Sequence, residues 1–225
     1  LTDASPATDA MVDSPLQIPL WGGCMIFTAE VEIRGSTYNL IPDTFAFSSW
    51  TYAIPGLAPP PGAKIDGCWH ADGSGVEGFW FTLDSSLGPL HLINGLEKRG
   101  SDWRDGVLGL GTSFEITGST SFGITAFYFN PEQSVNDLHD DSWPESGPPS
   151  FMVLGGLLPR TDRASYTFTR CINETFTIHC KMCFKTNNEE QTRFWSVTAK
   201  VDTGCSHLLM KQSLYKSLPG GLSAV

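Results

Sequence analysis

The chain has 225 residues, 40% hydrophobic and 12% aromatic, which is enough apolar material to bury a core and too much for a disordered chain. Its formal net charge of −10 repels phosphate backbones and argues against nucleic acid as a partner. No run of about 18 uncharged apolar residues occurs, so no helical membrane span is expected.

The 23 glycines and 15 prolines predict many turns and short strands. Residues 1–15 are small and polar and open a flexible N-terminal arm, drawn to residue 20. Residues 27–33 alternate apolar and polar and predict a half-buried strand with Phe27, Ala29, Val31 and Ile33 inward. Arg34-Gly35-Ser36 is a turn signal, and residues 38–41 form a second strand that delivers Asp43 at its end. Residues 57–62 are Pro-rich and read as a loop. Residues 68–75 read as a hairpin tip, with an aromatic-rich strand returning over 78–83. Residues 107–111 are a compact apolar run too short for a helix. A short strand at 127–129 is followed by a polar, Pro-bearing surface loop over 130–149. Residues 151–156 read as a buried strand ending in a glycine turn. Further strands are expected at 166–168, 176–178 and 194–201, and a helix over 206–218.

The six cysteines are Cys24, Cys68, Cys171, Cys180, Cys183 and Cys205. An even count suits disulfides in an oxidising compartment. Asn173-Glu174-Thr175 is an N-glycosylation acceptor and points the same way, to secretion or a secretory or vacuolar lumen. Cys180-Lys181-Met182-Cys183 has Cys-x-x-Cys spacing beside Cys171 and His179, but a zinc finger pairs two such knuckles and one is present. Disulfides are the preferred reading, and no metal or organic cofactor is expected.

One short pattern occurs twice. An apolar strand ends in Asp-Thr at Leu40-Ile41-Pro42-Asp43-Thr44-Phe45-Ala46, and again at Ala199-Lys200-Val201-Asp202-Thr203-Gly204-Cys205. Either turn alone reads as an ordinary strand cap. As a pair, far apart in sequence, they suggest two carboxyls built to face each other. Like charges held close raise one pKa, so one group stays protonated while the other is ionised, which suits acid/base work.

The context of the two turns resembles the pepsin-like aspartic proteases. Trp50 follows Asp43 at the family's distance, and His70-Ala71-Asp72-Gly73-Ser74-Gly75 resembles the flap, where Tyr-Gly-Asp-Gly-Ser is usual. Asp105-Gly106-Val107-Leu108-Gly109-Leu110 is similar to the family's Asp-Gly-(Ile/Val)-Leu-Gly-Leu segment. Val153-Leu154-Gly155-Gly156 resembles the strand that starts the inter-lobe sheet, and Val201-Asp202-Thr203-Gly204 the second catalytic turn. The resemblance runs from about residue 25 to about residue 218. It implies an all-β, bilobal barrel fold with a central cleft. The first lobe would span 21–150; an inter-lobe strand and a shortened second lobe would span 151–225.

The resemblance also implies roles. Asp43 and Asp202 would be catalytic. His70, Trp50, Asp72, Gly73, Thr203 and Gly204 would contact substrate, with Trp50, Trp69 and Trp80 lining the cleft. Cys24 and Cys68 would bridge within the first lobe. The chain departs from the family pattern at Phe45 (usually Gly), at Ala46 and Cys205 (where hydroxyls support the aspartates) and at His70 (usually Tyr). The family also runs on past Val225, so a missing C-terminal segment, a rearranged second lobe or a homodimer is expected. Three functions fit: an endopeptidase with altered activity; an acid/base enzyme that cyclises or isomerises a small apolar molecule; and an inactive relative that binds a protein or peptide.

Overall fold

The computed structural model describes residues 15–23, 26–52, 54–69, 75–96, 105–111, 125–128, 150–154, 176–184, 193–205 and 209–216. Strand β1 (Leu16–Gly23) turns back into β2 (Ile26–Ile33), which pairs with β3 (Ser36–Asp43). In β2 the expected alternation is present: Ala29, Val31 and Ile33 are buried, and Glu30 and Glu32 face solvent. Phe27 is only half-buried, and the adjacent Thr28 is buried as well. The β2–β3 turn has just two residues between the paired Ile33 and Ser36. Arg34 and Gly35 both take positive φ there (52° and 80°), as the right-handed twist of a tight hairpin requires.

Next come β4 (Ser49–Tyr52), β5 (Asp66–Trp69), β6 (Gly75–Ser85), β7 (Gly88–Gly95) and β8 (Gly106–Gly109). β9 (Thr125–Tyr128) and β10 (Phe151–Leu154) follow. These ten strands form one sheet in the order β5-β6-β7-β4-β8-β3-β2-β1-β10-β9. Ile33 of β2 also pairs with Ser85 of β6, so the strands between them curl into a closed barrel. β11 (Thr177–Phe184) and β12 (Arg193–Lys200) form a separate antiparallel hairpin, followed by the short helix α1 (Gln212–Lys216).

Two apolar clusters fill the barrel region. One gathers Val31, Leu40, Leu90, Leu92 and Leu108, and extends to Ile18, Leu20, Met152 and Leu154 of β1 and β10. The other gathers Ile41, Trp50, Val76, Ile93 and Val107. Neighbours in sequence fall into opposite clusters: Leu40 and Ile41, Leu92 and Ile93, Val107 and Leu108. The buried ends of β3 and β7 and the whole of β8 therefore contribute side chains to both clusters, which is why Leu40-Ile41, Leu92-Ile93 and Val107-Leu108 are apolar pairs instead of alternating residues.

Several expectations change. β1 begins at Leu16, inside the stretch expected as a flexible arm, because its edges are taken by β2 and β10. β4, β5 and β7 carry no clear strand pattern alone and are ordered by their neighbours in the sheet. Of the helix expected over 206–218, the described residues are helical over Gln212–Lys216 and not over 209–211. Residues 70–74, 130–149 and 166–168 lie outside the described residues.

Candidate active site

β3 runs between β2 and β8 and ends at Asp43, which is 8% exposed. Backbone bonds from the end of β8 and the residues after it clamp the turn that follows. Leu110 N–H donates to the Asp43 carbonyl (2.8 Å) and Gly111 N–H to the Ala46 carbonyl (2.9 Å). Gly109 N–H donates to the Ser49 hydroxyl (3.0 Å). Within the turn, Asp43 Oδ1 accepts from the amides of Phe45 (2.7 Å) and Ala46 (3.1 Å). Such a side-chain-capped turn fixes the direction of the carboxyl. Asp202 follows β12 by two residues, and its Oδ1 accepts from Gly204 N–H (3.0 Å).

The two turns meet through their threonines. Thr44 N–H donates to Thr203 Oγ1 (3.1 Å), and Thr203 N–H donates to Thr44 Oγ1 (3.1 Å). Each hydroxyl then donates across the junction: Thr44 Oγ1 to the Val201 carbonyl (2.8 Å), Thr203 Oγ1 to the Pro42 carbonyl (2.7 Å). The exchange is reciprocal, with each hydroxyl reaching the residue that precedes the opposite aspartate. It satisfies two amides and two carbonyls and sets the spacing of the carboxyls.

Gly204 shows how close the turns come. A Cβ on it would stand 2.5 Å from Cγ and 2.6 Å from Oδ2 of Asp43. Only glycine fits there. Gly204→Ala should push Asp43 out of position and lower any activity of the pair by about 10²-fold, measured as kcat/KM. An unchanged rate would mean that the spacing of the turns is immaterial.

The Asp202 carboxyl is pushed above its ordinary value of 3.8, first by burial and next by the negative charge of Asp43. A hydrogen bond between the two side chains adds to this, while the amides of Gly204 and Cys205 pull the other way. The folded protein therefore holds the Asp202 proton to higher pH than the unfolded chain does. This group's stabilising contribution is complete below 3.8 and is lost as pH rises through the raised folded value. Accordingly, wild type should lose thermal stability relative to Asp202→Asn as pH rises above 3.8. Parallel melting profiles for the two proteins would refute this.

No family model and no curated protein sequence matches the chain. Its structure is similar to the crystal structure of the aspartic proteinase from Irpex lacteus, with a TM-score of 0.61. The two are 19% identical over 90% of this chain and 67% of that one. The fold is pepsin-like.

Within this pepsin-like frame, the expected site residues separate. Asp43, Asp202, Thr203 and Gly204 come together, Thr203 as a brace and Gly204 as a spacer. His70, Asp72 and Gly73 lie outside the described residues. Trp50 does not line a cleft: β4 is sandwiched between β7 and β8, and Trp50 is 1% exposed in the core. Trp80 is half-buried and stacks on His91, with ring centroids 4.6 Å apart. Trp69 is the exposed one of the three, at 52%.

The cysteines also differ from expectation. Cys68, Cys180 and Cys183 are free thiols, so the Cys24–Cys68 bridge is not made. Cys68 instead packs against the cluster of Ile41, Trp50 and Val76. Burial raises its pKa, and the charges of Asp43 and Asp66 raise it further, which keeps it a neutral thiol. Cys180 and Cys183 sit three apart on β11, so their side chains leave opposite faces and make no knuckle. Cys24 and Cys171 lie outside the described residues.

Sequence reasoning missed Thr44 as a brace, although the repeated Asp-Thr was its signal. It also missed Lys200, whose Nζ lies 4.4 Å from the Phe45 ring centroid. Nothing local ties those two residues together.

Proposed function

We propose that the chain acts as an aspartic-type endopeptidase, with Asp43 and Asp202 as its catalytic pair. The observation that carries this reading is the reciprocal threonine exchange, which holds two carboxyls in contact with one of them raised in pKa. The pair shares one proton, and its titrations belong to both groups together. We assign the shared proton to Asp202, where burial and the neighbouring charge of Asp43 disfavour the ionised form.

In the proposed reaction Asp43 takes a proton from water as the oxygen attacks the peptide carbonyl. Asp202 gives its proton to the carbonyl oxygen, forming a neutral tetrahedral diol. Collapse breaks the C–N bond: the leaving nitrogen takes the proton held by Asp43, and a diol hydroxyl returns one to Asp202. The products are a carboxylic acid and an amine, and the pair again holds one proton. An acidic lumen or the cell exterior suits a pair that must keep that proton.

The test is cleavage of denatured protein by the folded chain between about pH 3 and about pH 7. Cutting should be strongest on the acid side and fade as the pair loses its shared proton. A folded sample that cuts nothing in this range would rule the peptidase out.

A further inference from the structure

Phe45 stands two residues after Asp43, and Lys200 two residues before Asp202. The two side chains meet, with the ammonium over the ring at 4.4 Å. Neither is needed to hold a carboxyl: Phe45 supports Asp43 through its backbone amide, which any residue but proline supplies. Its ring is therefore committed elsewhere, between Lys200 and Phe47, whose ring centroid is 6.4 Å away.

β12 alternates, with Phe194, Ser196, Thr198 and Lys200 exposed and Trp195, Val197 and Ala199 half-buried. Lys200 thus stands on the open face of the strand that leads into the second turn. Among the described residues, its ammonium meets the Phe45 ring and no carboxylate. A ring covers one side of an ammonium and leaves donors on the other. In a chain of net charge −10, this is a positive point two residues before the second aspartate turn and against the Phe45 ring of the first.

We propose that Lys200, seated on the Phe45 ring, forms a cationic wall beside the carboxyl pair and selects substrates carrying a carboxylate side chain next to the bond to be cut. Phe45 is the positioning residue, and Lys200 makes the contact. This rests on the peptidase reading, but charge selection can be read by binding alone.

The probes are two labelled hexapeptides that differ only in Glu or Gln beside a non-cleavable statine unit at the bond position. At about pH 5.5 the Glu side chain is ionised. Wild type should bind the Glu peptide about fivefold more tightly than the Gln peptide, the scale of an exposed ion pair. Lys200→Met should bind both equally, and Lys200→Glu should prefer Gln. The wild-type preference should shrink at about 1 M salt. Phe45→Leu, which keeps bulk but removes the ring face, should reduce the Glu/Gln ratio about twofold. A purely structural role for Phe45 would lower stability and leave that ratio unchanged.

Equal binding of the two peptides by wild type overturns the proposal. So does a preference that survives in Lys200→Met, or a folded wild type that binds neither peptide. Cleavable versions separate the two readings. Selective binding without cutting ends the peptidase and keeps the charge selection. Cutting both peptides at equal kcat/KM, with equal binding, does the reverse.

Discussion

Asp202→Asn should lower acid peptide cleavage by about 10²–10⁴-fold while leaving the fold intact. An asparagine keeps the oxygen that accepts from Gly204 N–H, and it leaves both threonine bonds untouched. What it removes is the transferable proton. The side chain that burial and the Asp43 charge keep protonated becomes an amide, which cannot pass a proton to the carbonyl oxygen. The loss should therefore fall on kcat, and the fade in rate as pH rises through the Asp202 titration should disappear with it. Rates and a thermal melt on the same sample check this. A variant that melts normally and cuts at the wild-type rate would show that Asp202 is not part of the catalytic pair.

Thr203→Val should destabilise the protein by about 3 kcal/mol, although it changes neither volume nor backbone greatly. The hydroxyl it removes is both the donor to the Pro42 carbonyl and the acceptor for Thr44 N–H. Thr44 is 5% exposed and Pro42 is buried, so water cannot fully replace either bond. Each orphaned group costs about 1–3 kcal/mol. Thr203→Ser keeps the hydroxyl and should cost less than about 1 kcal/mol. Adding Thr44→Val to Thr203→Val should cost less than the sum of the single changes, because the two hydroxyls serve one exchange. Denaturant unfolding of the four proteins measures the coupling; strict additivity would mean that the exchange is not a unit.

Much of this site is written in short stretches of chain. Ala29, Val31 and Ile33 alternate with glutamates because a strand turns every second side chain to one face, and β2 follows that pattern. The Asp-Thr turns are legible for the same local reason: a side-chain oxygen two or three bonds from its own backbone amides needs no distant partner, and both caps form. Gly109 and Leu110 were recognisable as a motif, and they clamp the first turn.

Other features depend on residues that meet only in the folded chain. Thr44 and Thr203 are 159 positions apart, and no periodicity predicts that their hydroxyls exchange bonds. Trp50 looked like a cleft residue until β7 and β8 were placed on either side of β4. Cys68 looked like half of a disulfide until it was placed against the cluster of Ile41, Trp50 and Val76. Lys200 looked like an ordinary strand lysine until the hairpin set it over Phe45. Turn chemistry and strand alternation act over a few residues and so can be read along the chain. The spacing of two carboxyls, the burial of one tryptophan and the seat of one ammonium arise from packing between distant segments, which tertiary structure alone decides.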